Sequence, residues 1–463
     1  VSQTPFLLAG QVHRGNGERP LYLRLADALF EAVQKGGAEL PSARSLAARE
    51  GFNRATVNAA YRELARRGLV VIRRGRPRRG TVRTALPQAV SESDVPRGSV
   101  DLAHYAPDAE LLPPGRVFRW LGLGDGEGES VAQYGSAAGF APLRRWLAER
   151  LGSLGIDTSP ERILLTSGVQ HALDLLLRAL LRPADVVLVE DPTYPGLPPL
   201  LAIHGVRTVG LPVGAQGLDA AALESPKLRG QPRLAILTPT LHNPSGLVWD
   251  EATRERVLER LLALGCQVVE EFFDPALVSE GEVPPPLAAR DARVVLVGSF
   301  SKALFPGLRV GWLAGPRQVV EAVAAVKRAT DLSGSPFLEA TAYHLCQRGL
   351  LLEQLARLRE ASRRRWQLVS GVLAEAPSGV RWSVPRGGFS TLLQLPASWS
   401  SQEVTVRAAR SGVFVVPGPA MSVSGRDDVV RVVFAAAGGE RLINGIERLL
   451  SALRPGAVAA PMV

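Results

Sequence analysis

Residues 294–312, VVLVGSFSKALFPGLRVGW, place Ser299, Ser301 and Lys302 at the end of a β-branched run, and Arg309 follows seven residues after the lysine. Two hydroxyls and a guanidinium suit a phosphate dianion. A primary amine among them, its pKa lowered by such surroundings, suits an imine with an aldehyde. The chain has only four lysines (Lys35, Lys227, Lys302, Lys327) against 50 arginines. Arginine replaces lysine wherever charge alone is needed but cannot form a Schiff base, so each remaining lysine invites a chemical reason. Three other apolar runs end in residues of note. The run 163–165 is followed by Thr166, Ser167, Gly168, Val169 and Gln170, where a helix start would aim N–H groups and a favourable dipole at a phosphate. By itself that is also an ordinary helix start. The run 234–237 leads to HNPSG, in which Asn243 could hold a hydroxyl or phenolate or simply belong to a turn. In VVEEFFDP, Glu270 and Glu271 close a strand. A carboxylate there could keep a pyridine nitrogen protonated and make the ring an electron sink. A surface acid is the alternative, and the register of Glu270 against Glu271 stays open.

These residues need a frame that gathers strand ends. Apolar runs at 163–165, 186–189, 234–237, 268–269 and 294–297 alternate with helical stretches at 171–181 and 251–264. This is an α/β pattern with a mostly parallel sheet and a ligand site at the carboxyl ends of its strands. A long amphipathic helix over 350–373 and a strand-rich tail predict a smaller lobe after about residue 335.

The first 83 residues differ from the rest. They carry 16 Lys+Arg and 6 Asp+Glu, whereas the other 380 carry 38 of each, so the net charge of +10 resides entirely at the N-terminal end. Such asymmetry points to a small polyanion-binding module on a neutral body. Leu21, Leu25, Leu29 and Val33 predict a first helix. Ser42 opens a second that ends at Gly51, and Asn53 caps a third over 54–67 with Val57, Tyr61 and Leu64 on one face. Two short β-branched runs flank the loop RRGRPRRG. Three helices and a basic hairpin make a winged helix-turn-helix. Ser42 and Arg44 open the second helix. Arg54, Thr56 and Asn58 lie near the start of the third, placed to reach base edges and phosphates, while Arg73, Arg74, Arg76, Arg78 and Arg79 would neutralise phosphates from the wing. Residues 84–100 are small, polar or proline and read as a linker. An apolar content of 46% with 21% charged residues reads as globular, and no long uncharged apolar run predicts a membrane span. Cys266 and Cys346 give neither a disulfide framework nor metal spacing. The first residues lack a signal-peptide pattern, so a cytoplasmic location is expected.

Leu40, Pro41, Ser42, Arg44, Leu46, Ala47, Arg54, Thr56, Val57, Tyr61 and Leu64 resemble the winged-helix domain of GntR-type regulators. The serine-x-serine-lysine segment with its proline-glycine-leucine-arginine continuation resembles fold type I, class I aminotransferases over residues 101–453. Joined in one chain, the two resemble the MocR subgroup of GntR regulators. The implied architecture is α/β. A winged helix-turn-helix spans 1–83, a linker 84–100, a large transferase-like domain 101–334 and a small C-terminal lobe 335–463. The resemblance implies pyridoxal 5'-phosphate joined to Lys302 as a Schiff base. It implies a phosphate held by Ser167, Gly168, Val169, Ser299, Ser301 and Arg309. Tyr194 would stack on the ring, Asn243 would contact its hydroxyl, Glu271 would pair with its nitrogen, and Arg431 would clamp an α-carboxylate. Tyr134 would reach the phosphate of a partner subunit in a homodimer.

Two positions depart from the pattern: Glu271 stands where an aspartate is usual, and Phe273 where a tyrosine donates to the ring hydroxyl. The longer Glu271 side chain must pull back or shift the ring, and loss of the tyrosine weakens control of the imine pKa. Asn243 matches the aminotransferases better than most MocR members. The implied function is a DNA-binding transcription regulator that senses an amino compound or the cofactor. The alternative is a metabolic aminotransferase with an N-terminal appendage.

Overall fold

The computed structural model describes residues 20–36, 42–66, 99–102, 134–224, 228 and 232–453. The chain divides into two units, residues 1–88 and 89–463. In the first, α1 (Leu21–Gly36), α2 (Ala43–Glu50) and α3 (Arg54–Arg66) enclose one apolar core of Leu25, Ala26, Leu29, Leu46, Phe52, Val57 and Ala60. The helix starts follow from cap chemistry. The Ser42 hydroxyl accepts from the Ser45 N–H at 3.1 Å, and the Asn53 side-chain oxygen from the Ala55 N–H at 2.8 Å. Caps of this kind contribute roughly 1 kcal/mol each. Gly51 ends α2 at φ +72°, a left-handed turn that a Cβ would strain. Arg44, Arg54 and Asn58 are exposed, and Thr56 is half-buried. The expected wing strands, with Arg73, Arg74, Arg76, Arg78 and Arg79, lie outside the described residues.

The second unit opens with β1 (Val100–Asp101), α4 (Ala141–Gly152), β2 (Ile163–Thr166), α5 (Val169–Leu180) and β3 (Val186–Asp191). It continues through α6 (Leu197–His204), β4 (Arg207–Gly214), β5 (Gly217–Leu218), β6 (Leu234–Leu237), α7 (Glu251–Ala263) and β7 (Gln267–Glu271). Next come α8 (Leu287–Arg290), β8 (Val295–Ser299) and β9 (Gly311–Ala314). The sheet order is β2-β9-β8-β7-β6-β3-β4-β5. β4, β3, β6, β7 and β8 pair in parallel, whereas β9 runs antiparallel between β2 and β8. The inner strands are buried on both faces, which is why they read as unbroken apolar runs. Their residues alternate between two cores. Leu188, Ala235, Leu237, Val268 and Leu296 face α4 and α7; Val187, Val189, Ile236, Val269 and Val297 face α5.

Beyond the sheet lie α9 (Arg317–Asp331), α10 (Pro336–Gln347) and α11 (Leu350–Leu373). A second lobe follows with β10 (Arg381–Trp382), β11 (Ser390–Gln394), α12 (Ser401–Arg410), β12 (Val413–Phe414), β13 (Val416–Pro417), β14 (Val429–Val433) and α13 (Gly439–Leu453). Its antiparallel sheet has the order β10-β11-β14-β13, and its core joins Leu393, Val404, Val430, Val432, Leu442 and Ile446. β1 pairs in parallel with β12, Val100 opposite Val413, and Val100 and Leu102 are buried in this same core. The residues at the end of the expected linker thus pack in the C-terminal lobe, a long-range pairing with no local sequence pattern to announce it.

Candidate functional site

Lys302 lies half-buried in the turn after β8. The cleft around it is lined by Gly168, Val169, Tyr194, Asn243, Glu271, Phe273, Ser299, Ser301 and Arg309, with Trp146, Leu147, Leu151, Phe272, Trp312 and Leu351 as an apolar wall. The polar residues other than Arg309 come from the ends of β2, β3, β6, β7 and β8, where a parallel sheet exposes its carboxyl edge, while Arg309 precedes β9 and α4 and α11 supply part of the apolar wall.

One side of the cleft gathers groups that suit an anion. The Ser299 hydroxyl donates to the Ser301 hydroxyl at 2.9 Å and accepts from the Ser301 N–H at 3.0 Å. Arg309 adopts a left-handed backbone at φ +52°, and its guanidinium donates to the Ser167 carbonyl at 2.5 Å. Gly168 caps α5 at φ +119°, and a Cβ there would come within 3.3 Å of the Arg309 guanidinium. Two hydroxyls, a guanidinium and an open helix N-terminus therefore converge where a side chain at position 168 would intrude. Ser167 contributes its carbonyl, while its N–H goes to the Nδ1 of His171 at 3.1 Å. Burial pushes the His171 imidazole down against the pull of Asp331, which favours the neutral ring this acceptor role needs.

The other side is a set of coupled polar groups. Burial, with Glu271 nearby, pushes the Tyr194 phenol up to about 12, although Arg431 and Arg309 act against it. Its hydroxyl thus stays protonated. Asn243 is buried and accepts from the Arg431 guanidinium at 3.1 Å, so β14 of the C-terminal lobe reaches the large sheet here. The preceding Leu241, fully buried at φ +56°, is an uncommon left-handed leucine that sets the course of this loop. Glu271 is pushed up to about 7, chiefly by burial; the Thr238 hydroxyl and Lys302 draw it down. The pleat separates the two glutamates: Glu271 lines the cleft, while Glu270 accepts from the Ala288 N–H at 3.2 Å and faces Arg254.

Tyr134 stands apart, 86% exposed on this single chain. Thr238, His171, Glu190 and the Phe272–Trp312 pair, ring centroids 5.4 Å apart, were not singled out from the sequence. An acid ending the apolar strand VVLVED was the available signal for Glu190. Both cysteines are buried and free, and among the described residues no cluster is arranged to hold a metal. No helix among them is long and apolar enough to cross a membrane.

The family model for aminotransferase class I and II matches residues 116–449. The chain belongs to the class I and II aminotransferase family. A second model, for bacterial regulatory proteins of the gntR family, matches residues 19–82 of this aminotransferase-family protein. A GntR helix-turn-helix fused to an aminotransferase domain is the MocR layout. The 2-aminoadipate transaminase of Thermus thermophilus is 32% identical over 71% of this chain and 83% of its own length. The HTH-type transcriptional regulator TauR of Rhodobacter capsulatus is 29% identical over 95% of this chain and 97% of its own. LysN, an α-aminoadipate aminotransferase from Thermus thermophilus solved with N-(5'-phosphopyridoxyl)-L-leucine, matches at TM-score 0.72 and 31% identity over 77% of this chain and 92% of its own. Pyridoxal phosphate is the cofactor of this family. The residues present fit it: an anion cradle kept open at Gly168, a primary amine at Lys302, and a buried carboxyl at Glu271 in one cleft.

Proposed function

We propose that this aminotransferase-family protein is a DNA-binding transcription regulator whose response is set at the Lys302 cleft by an amino compound or by pyridoxal phosphate itself. One observation carries the reading. A single chain joins a GntR-family helix-turn-helix to a cleft where Lys302, Glu271, Asn243 and Tyr194 stand beside an anion cradle.

Gly168, Val169, Ser299, Ser301 and Arg309 would hold the phosphate, and Ser167 would steady Arg309 through its carbonyl. Tyr194 would cover one ring face, Asn243 would meet the ring hydroxyl, and Glu271 would pair with the ring nitrogen. When bound, pyridoxal phosphate supplies an aldehyde carbon that reacts reversibly with amines and a ring that withdraws electrons. Lys302 brings the amine. Arg431, held against Asn243, offers a guanidinium to an α-carboxylate. Tyr134 would serve the site of a partner subunit in a homodimer, which would present two helix-turn-helix units to paired half-sites in cytoplasmic DNA. An effector changes DNA affinity only through its differential affinity for two states of the protein.

Gel-shift titration of full-length protein, with pyridoxal phosphate and a panel of amino acids added in turn, tests effector control. DNA affinity constant across every condition defeats it. A visible absorption band that disappears in Lys302→Ala tests cofactor attachment. The second reading is a metabolic aminotransferase, favoured by the Asn243–Arg431 contact across the two lobes. Steady turnover of an amino donor and a 2-oxo acid at ordinary enzyme rates, about 1 per second or faster, would select it.

A further inference from the structure

Glu190, at the end of β3, is fully buried but is not among the residues that line the Lys302 cleft. Its Oε2 accepts the Thr238 N–H at 2.8 Å. Its Oε1 faces His242 Nε2 at 3.7 Å and has no hydrogen-bond partner among the described residues. The Thr238 hydroxyl donates to Glu271 Oε2 at 3.4 Å, a long contact, and also acts on the Glu190 carboxyl. One threonine is therefore held by a hidden carboxyl, chiefly through its backbone, and reaches the cleft carboxyl through its side chain.

A glutamate side chain has three rotatable bonds, so a carboxyl that must sit at one depth in a cleft needs an anchor. We infer that Thr238 and Glu190 are positioning residues for Glu271. Glu190 fixes the Thr238 backbone, and the Thr238 hydroxyl draws the Glu271 carboxyl back toward the sheet. The inference rests on the reading of Glu271 as the partner of the ring nitrogen.

Burial favours the neutral form of Glu190. The groups that face it are Glu271 beyond Thr238, a like charge, and His242, which burial holds down to about 4. Lys302 and Tyr194 face Glu271 instead. Burial first, and Glu271 after it, push Glu190 well above the usual carboxylate range. A neutral carboxyl keeps its acceptor oxygen for Thr238 without placing a second negative charge behind Glu271.

The test is a double-mutant cycle on full-length protein titrated with pyridoxal 5'-phosphate, read as dissociation constant and as the pH profile of the visible band. Thr238→Val weakens binding about five- to tenfold when position 271 is Glu. It weakens binding less than about twofold in a Glu271→Asp background, where the shorter side chain no longer reaches the hydroxyl. Glu190→Leu weakens binding and moves the pH midpoint. Glu190→Gln restores both, because its amide oxygen still accepts from Thr238. Equal losses from Thr238→Val in both backgrounds, or a Gln variant that behaves like Leu, overturn the inference. Should Glu190→Leu fail to fold, Thr238→Ser against Thr238→Val decides: the serine keeps the hydroxyl and must retain the affinity. A parent protein without a Lys302-dependent band defeats the cofactor reading itself, whereas a normal band with additive variants defeats only the anchoring.

Discussion

Replacing Gly168 with alanine separates the anion cradle from the rest of the cleft. Gly168 sits at φ +119°, ψ 175°, a region occupied almost only by glycine. An alanine there carries strain of about 1–3 kcal/mol. That strain is present with or without ligand, so it lowers the melting temperature of the cofactor-free protein without changing affinity. A second effect does change affinity. The new Cβ would lie 3.3 Å from one Arg309 terminal nitrogen and 3.5 Å from the other, so the guanidinium, held by the Ser167 carbonyl at 2.5 Å, must give by a few tenths of an ångström. A charge-assisted hydrogen bond to a phosphate contributes about 1.5–3 kcal/mol, so misaligning it by that shift costs part of this and weakens binding roughly 3- to 10-fold. Only the phosphate should register this loss. Titrating cofactor-free Gly168→Ala with pyridoxal phosphate and, separately, with pyridoxal gives the comparison. The first affinity falls by that factor and the second stays within about twofold. Equal losses for both compounds, or an unchanged affinity for the phosphorylated one, would refute the assignment of Gly168 and Arg309 to a phosphate cradle.

Glu271, pushed up to about 7 from an ordinary 4.5, binds its proton more tightly in the folded chain. Its contribution to stability is therefore complete below the unfolded value and is lost as pH rises through the folded one. Scanning calorimetry of cofactor-free protein should show Glu271→Gln gaining on wild type by a few degrees between about pH 5 and pH 8, and parallel curves would contradict this. Arg254 is fully buried and donates to the carbonyls of Trp249, Pro239 and Pro285 and to the Thr240 hydroxyl at 2.9–3.3 Å. Arg254→Leu strands those acceptors and Glu270 and should cost about 3–5 kcal/mol in urea unfolding; a loss under about 1 kcal/mol speaks against the clamp. Arg54→Ala should weaken operator binding and lower the slope of log affinity against log salt by about 1, while an unchanged slope removes Arg54 from the phosphate contacts.

The parts of the fold visible in the sequence are those whose signal is local. The α11 helix, the β6 strand and the capped starts of α2 and α3 follow from periodicity and cap residues within a few positions. The cluster around Lys302 was legible because residue types of unequal chemistry stand at successive strand ends. The two glutamates of β7 were not separable, since only the pleat and the neighbours Ala288 and Thr238 decide which one faces the cleft. Glu190 looks like an acid leaving a strand for solvent; it is buried because β4 and β6 flank β3 on both sides. His171 looks like one more helix residue, and its ring turns back onto the Ser167 N–H one helical turn earlier.

The pairing of β1 with β12 fixes where the rest of the chain is rooted. Arg441 adds a hydrogen bond to the Ser99 carbonyl at 2.7 Å. The strand after β12, β13, lies directly beside Arg431 in β14. The covalent path from the N-terminal unit therefore enters the second unit through the lobe that carries this guanidinium, and not through the sheet that carries Lys302. Any shift of this lobe against the large sheet would carry Ser99, β1 and Arg431 together.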